Sequence, residues 1–257
     1  MMASTLQVSD ADHVRTITLN RTEARNAMTP EMQQDLISAF DAAASDGTRV
    51  LVIRGAGKAF CAGLDLRVLQ SMQAVTAAEH EASAARIVRL FRTLWELPLP
   101  TIAVVDGPAI AGGAGLASLC DYTLATPAAK FAYTEARIGF VPAVVSAFLT
   151  LQLGDKRSRD LLLSARVFSA EEARAMGLVN FVGEADSVAA RLQELIAMLM
   201  ANSPESLAAT KRLMAAQQAA WLDASLDAAL RANAASRQTR DFREGVAAFL
   251  EKRKPKW

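Results

Sequence analysis

The chain has 257 residues, 52% hydrophobic and 21% charged, with a formal net charge of +1. That length can bury a sizeable core, the composition excludes a disordered chain, and the balanced charge gives no footprint for nucleic acid. Only two cysteines occur, Cys61 and Cys120, which argues against a secreted disulfide scaffold; with no signal-like start and no apolar run of about 18 residues, the expectation is a cytoplasmic protein without a membrane partner.

Residues 14–19 alternate with period two and predict a strand, with His13 beginning it at a sheet edge. Thr29-Pro30-Glu31 has the form of an N-cap followed by proline at the first helical position, predicting a helix to about Ala44. Residues 49–54 predict a buried strand, and residues 77–96 a long helix closed by Pro98 and Pro100. Residues 101–105 and 122–126 predict two more strands. From Ala143 onward the pattern is mostly helical. Ser169-Ala170-Glu171-Glu172 has the form of a capping box, and helices are predicted over 170–176, 185–201, 204–218, 222–235 and 241–252. The expected organisation is an α/β body over 1–202 and a helical region over 203–257, joined at the Asn202-Ser203-Pro204 turn. No repeat at a fixed period is visible.

After the strand at 49–54 comes "GAGKAFCAGLDLR", residues 55–67. It is not a nucleotide-binding P-loop, because Gly57-Lys58 is followed by Ala59 where a magnesium-binding hydroxyl belongs. It is not a Rossmann fingerprint, because Phe60 stands where the third glycine belongs. Cys61 has no sequence-local base and reads as a small buried hydrophobe. No metal-ligand spacing is present. What remains is a glycine loop turning into a helix near Asp65. That is either an ordinary strand-to-helix turn or a place where backbone N–H groups face a ligand. "VVDGPAIAGGAGLASLCD", residues 104–121, repeats the design, with Gly112, Gly113 and Gly115 opening a helix over 111–120. Close helix packing is one reading of those glycines. The other is an oxyanion hole: two such loops can each give one N–H to the oxygen of a thioester whose α-carbon becomes enolate-like, with the helix dipole adding to it.

With "NRTEARNAM" (20–28), "YTEARIGFVP" (133–142), "ARAMGLVNFV" (173–182) and "EGVAAFLEKRKPKW" (244–257), the two loops resemble the crotonase, or enoyl-CoA hydratase/isomerase, superfamily over nearly the whole chain. The resemblance implies an α/β fold made as a spiral of ββα units with a C-terminal helical trimerisation region. It implies an acyl-CoA substrate, with coenzyme A as part of that substrate and no separate cofactor or metal, and a homotrimer or dimer of trimers. It implies that Leu64 and Gly112 supply the two oxyanion N–H groups and that Glu135 is a catalytic carboxylate. Coenzyme A is then expected across Arg25 to Ala27 and Ala62 to Asp65, with Gly113 and Gly115 in the second binding loop. Lys58 matches a phosphate contact. Phe249 and Lys252 match positions that reach the coenzyme, commonly from a neighbouring subunit.

One position departs from the pattern. The family's hydratases use two glutamates, and Gly115 stands where one of them belongs. Two carboxylates can hold a water between a base and an acid, whereas one can still carry a proton from carbon to carbon. His13, His80, Tyr133, Asp65 and Asp121 are the candidates for a substitute acid. Of these, His80 lies in residues 72–81, a segment that in the family flanks the acyl pocket. The missing side chain at Gly115 is expected to leave room for a branched or bulky acyl group. Burial among Ile138, Phe140 and Val141 is expected to raise the pKa of Glu135. Hydration of a 2-enoyl thioester is the leading expectation. A Δ3-Δ2-enoyl-CoA isomerase with Glu135 as sole proton shuttle is the alternative, and an idle CoA-binding or RNA-binding relative the third.

Overall fold

The structure is a computed structural model that describes residues 4–71 and 75–257. Its strands are β1 (Leu6–Ala11), β2 (Val14–Leu19), β3 (Val50–Gly55), β4 (Thr101–Val105), β5 (Ala109–Ile110), β6 (Tyr122–Ala125), β7 (Lys130–Ala132), β8 (Val167–Ser169) and β9 (Phe181–Val182). Its helices are α1 (Pro30–Ala43), α2 (Leu66–Ser71), α3 (Ala77–Glu96), α4 (Gly112–Ser118), α5 (Ala143–Leu153), α6 (Asp155–Ser164), α7 (Ala170–Met176), α8 (Ala185–Met200), α9 (Pro204–Ser236) and α10 (Arg240–Leu250).

The larger sheet has the order β1-β2-β3-β4-β6-β9 and is parallel except for the β1–β2 hairpin. Parallel neighbours need long crossovers, so helices lie between successive strands. Alternation sorts the strand residues between two cores. Val50, Val52, Ile102, Val104 and Leu124 face Val188, Leu195 and Leu199 of α8. Leu51, Ile53, Ala103 and Val105 face the main core with Phe40, Leu90, Phe91 and Phe148.

A second sheet, β5-β7-β8, stands beside the first. Two isolated parallel bridges, Met28 with Leu64 and Cys61 with Ala109, add further extended segments. Successive turns of the chain therefore give one strand to the large sheet and one extended piece to the second surface. β3 is followed by residues 61–64, β4 by β5, and β6 by β7. The connections between turns differ in length, so the spiral leaves no fixed sequence period.

Two expectations need correction, and one strand had not been expected at all. Strand β1 has no signal in the sequence pattern because only Leu6 of its six residues is buried. His13 does not begin a strand. It shares the hairpin turn with Asp12, both at positive φ (62° and 48°), in the two-residue geometry that matches strand twist. The helices expected over 204–218 and 222–235 are one helix, α9. No glycine or proline falls inside it after Pro204, so nothing breaks it. Leu222, Leu226 and Ala229 of α9 join the main core, while Leu213, Met214 and Trp221 are exposed by 61%, 59% and 44%. Among the described residues no helix is long and apolar enough to cross a membrane.

The turn at 135–138 is held from outside by α10. A Cβ at Gly245 would lie 2.3 Å from the carbonyl carbon of Ile138, so only glycine allows this approach. Gly245→Ala is expected to push the two apart and cost about 1–3 kcal/mol, the usual range for overpacking. A urea midpoint equal to that of the parent chain would count against the close contact.

Candidate active site

Two loops meet here backbone to backbone. Ile110 N–H donates to Cys61 O at 2.9 Å, and Phe60 N–H to Pro108 O at 3.0 Å. A Cβ at Gly113 would lie 2.3 Å from Cys61 O, which explains a glycine as the second residue of α4. On the other flank, Ala62 N–H donates to Arg25 O, Met28 N–H to Gly63 O and Asp65 N–H to Met28 O, at 3.0, 2.7 and 3.0 Å. Leu64 sits between these bonds. Among the described residues, neither its N–H nor that of Gly112 donates to a protein acceptor. Gly112 opens α4, where the first N–H groups have no intrahelical partner.

Ala111 sets the plane of the peptide that carries the Gly112 N–H. Its φ of 51° and ψ of −123° are costly for a residue with a Cβ. A 2.7 Å bond from its own N–H to Ala132 O holds it there.

Leu64, Gly112 and Glu135 all line one cavity of about 400 Å³, with Ala62, Phe91 and Phe140 among its walls. Glu135 begins the turn at 135–138 and is 8% exposed. Among the described residues its Oε2 has no hydrogen-bond partner, and burial pushes its carboxyl up to about 7. It is the one carboxylate among the described lining residues. Near neutral pH both of its forms are populated, so it can take a proton and return it. The expected apolar surroundings are there: Ile138, Phe140 and Val141 line the same cavity.

The other sequence-derived positions separate into groups. Arg25, Lys58 and Lys252 are exposed outside the cavity, and Ala27 is buried beside it. Phe249 lines the cavity with its residue 54% exposed, which places it at the rim. Asp65 is 6% exposed and lies off the cavity. It accepts from Arg67 N–H at 2.9 Å and from Arg21 at 3.0 Å, so its charge ties the loop together.

Gly113 and Gly115 also lie outside the lining. The room expected at Gly115 is already filled: a Cβ there would be 2.8 Å from Val145 Cγ1 and 2.9 Å from Phe91 Cε2. Gly115 serves helix packing, not an enlarged acyl pocket.

None of the substitute acids lines the cavity. His13 is exposed in its turn, and Tyr133 is buried with its hydroxyl 3.5 Å from Ser118 Oγ. Asp121 binds Lys211 at 2.6 Å and Thr101 N–H at 2.8 Å. His80 is buried on α3, and burial first, then Arg237, lowers its pKa. Of the segment 72–81, residues Met72 to Ala74 lie outside the described residues. Burial pushes the Cys61 thiol up to about 12, so it is un-ionised at neutral pH.

Two buried polar lining residues escaped the sequence reading, Asn233 and Arg237. The signal was there. Leu222, Leu226, Ala229, Asn233 and Arg237 follow one another at helical spacing along the buried face of α9 and its cap. Polar residues that end an apolar stripe are informative.

The fold is the crotonase α/β fold. It superposes with a TM-score of 0.87 on the crystal structure of an enoyl-CoA hydratase from Mycobacterium avium, 32% identical and covering 99% of each chain. The family profile described as Enoyl-CoA hydratase/isomerase matches residues 10–257, and the chain belongs to that family. A Thermus thermophilus protein named "Putative enoyl-CoA hydratase" is 41% identical over 95% of this chain and 97% of its own. The Escherichia coli protein named 1,2-epoxyphenylacetyl-CoA isomerase is 32% identical over 95% and 94%. The chain is therefore an enzyme of enoyl-CoA hydratase/isomerase type, and the family implies an acyl-CoA substrate.

The raised pKa of Glu135 has a sign that can be checked. Below about pH 4.5 the carboxyl is protonated in both folded and unfolded chains and adds no difference. As pH rises from there to about 7, the unfolded chain ionises while the folded one resists, so folded stability is lost. The loss is up to about 3 kcal/mol above pH 7. Glu135→Gln removes it. The variant is expected to gain stability over the parent as pH rises through this window, read from denaturant midpoints. A difference that does not change with pH would contradict the burial account.

Proposed function

We propose that this enzyme adds or removes water across the 2,3 double bond of an enoyl-CoA thioester, with Glu135 moving the proton and the N–H groups of Leu64 and Gly112 holding the thioester oxygen. One observation carries the reading: a lone carboxyl with a pKa of about 7 shares an apolar cavity with two N–H groups that have no acceptor among the described residues. In hydration, the Glu135 carboxylate takes a proton from water as the water oxygen bonds to C3. The double-bond electrons move toward the thioester, whose oxygen gains charge between the two N–H groups. The protonated Glu135 then gives that proton to C2, and the carboxylate is restored.

A second reading is kept because of Phe91 and Val145. They fill the place beside Gly115 where a second carboxylate would help hold a water. Without one, the same site suits a Δ3-Δ2 isomerisation, in which Glu135 takes a proton from C2 and returns it to C4. Coenzyme A enters as part of the substrate. The exposed Arg25, Lys58 and Lys252 are the cations offered to its phosphates.

Supplying 2-enoyl-CoA and 3-enoyl-CoA separately distinguishes the two. Loss of the conjugated absorbance from the first means hydration; its appearance from the second means isomerisation. In either case kcat/KM should rise with pH through about 7 and then level, because the base must be ionised. Glu135→Gln should abolish turnover and leave thioester binding nearly intact. Full turnover by a folded Glu135→Gln variant would remove both readings.

Assembly is part of the same proposal. The exposed Leu213, Met214 and Trp221 on α9 form apolar surface that the chain leaves uncovered. A trimer or dimer of trimers is expected by light scattering at micromolar concentration, and a monomer there would refute it.

A further inference from the structure

At another part of the cavity lies a buried charge. Arg237 caps α9 and is 3% exposed, yet it lines the cavity. Its Nε and one terminal nitrogen are buried with no acceptor among the described residues. Among the described residues it makes no ion pair, and its guanidinium sits 5.5 Å from the centre of the Phe140 ring. Burial draws its pKa down to about 10, with Arg86 pushing the same way, so it remains a cation at neutral pH. Asn233, one turn earlier on α9, also lines the cavity, is 5% exposed and leaves Oδ1 unpaired. His80, close enough for Arg237 to lower its pKa, has an unpaired buried Nδ1.

A buried guanidinium with no counter-charge is costly. A ring face and the negative end of a helix offset only part of that. Phe140 is already in place, and no carbonyl of the described residues accepts from the buried nitrogens. What is missing is an acceptor with a negative charge, and the cavity is open to receive it. Glu135 does not fill that role, since among the described residues its buried Oε2 and the buried nitrogens of Arg237 are all without a hydrogen-bond partner.

We propose that the acyl group carries its own carboxylate, so that the substrate class is the mono-thioester of a dicarboxylic acid. Arg237 pairs with the distal carboxylate, and the Asn233 amide, which can present either end by a flip, adds a hydrogen bond. This rests on the enoyl-CoA reading above, since the thioester must lie at Leu64 and Gly112 for the tail to reach α9. The two ends of the cavity then have separate tasks. Leu64, Gly112 and Glu135 handle the reacting end, and Arg237 selects the tail.

The test is titration calorimetry with three probes: glutaryl-CoA, valeryl-CoA of matching chain length, and free coenzyme A. The parent enzyme is expected to bind glutaryl-CoA at least about tenfold more tightly than valeryl-CoA, the scale of a charge-assisted hydrogen-bonded pair. Arg237→Gln should bring that ratio to about one, and Arg237→Lys should keep part of it. Circular dichroism checks that each variant is folded. A parent ratio near one, with 2-enoyl-CoA or 3-enoyl-CoA still turned over, overturns the dicarboxylic assignment alone. An unchanged preference in folded Arg237→Gln overturns it as well. If Arg237→Gln weakens free coenzyme A as much as both thioesters, the guanidinium serves a coenzyme phosphate and the inference falls. No binding of any thioester removes the enoyl-CoA reading and this inference together.

Discussion

Helix α4 rests its second residue against the carbonyl of Cys61, with no space for a Cβ between them. That contact brings the start of a helix to the edge of a neighbouring loop at backbone distance, and much of the site depends on it. Gly112 lies next to the contact and Leu64 just beyond it, so two unpaired N–H groups reach one cavity. A side chain at position 113 would separate them. The backbone strain at Ala111 belongs to the same arrangement, since its ψ orients the peptide that carries one of the two donors.

The cavity is electrically uneven. One wall carries a carboxyl that burial keeps half-protonated near neutrality, and another carries a guanidinium that burial cannot discharge. Most of the other walls are apolar, including Phe91, Val144 and Val145, with Thr134, Asn233 and the exposed Arg137 the polar exceptions. In such surroundings water screens less than in bulk, so each charge acts more strongly on what enters than it would at the surface. The carboxyl gains basicity from its isolation, which proton transfer needs. The guanidinium has no acceptor for its buried Nε among the described residues.

Much of this was legible in the sequence because it is local. Thr29 before Pro30 and the two glycine loops each state their geometry within a few residues, and the helix expected over 77–96 has those bounds. Local signals fail where partners are distant in the chain. Strand β1 is exposed on most of its length and is defined by pairing with β2. The short strands β5, β7 and β8 exist only as neighbours of one another. Gly115 misled for the same reason: a missing side chain reads as empty space until Phe91 and Val145, from α3 and α5, are seen to occupy it. Arg237 was hidden by its place at the end of a helix, where a basic residue has a ready explanation in the dipole.

The cavity volume has a consequence for heat. About 400 Å³ holds on the order of ten water molecules. Most of their neighbours are hydrocarbon, with Glu135 and Arg237 among the few anchors. An acyl chain that enters expels them and removes apolar wall from contact with water. The heat capacity of the system must then fall on binding, and the enthalpy of association grows more negative with temperature. Affinity in this site is therefore tied to temperature through the solvent it releases as well as through the contacts it makes.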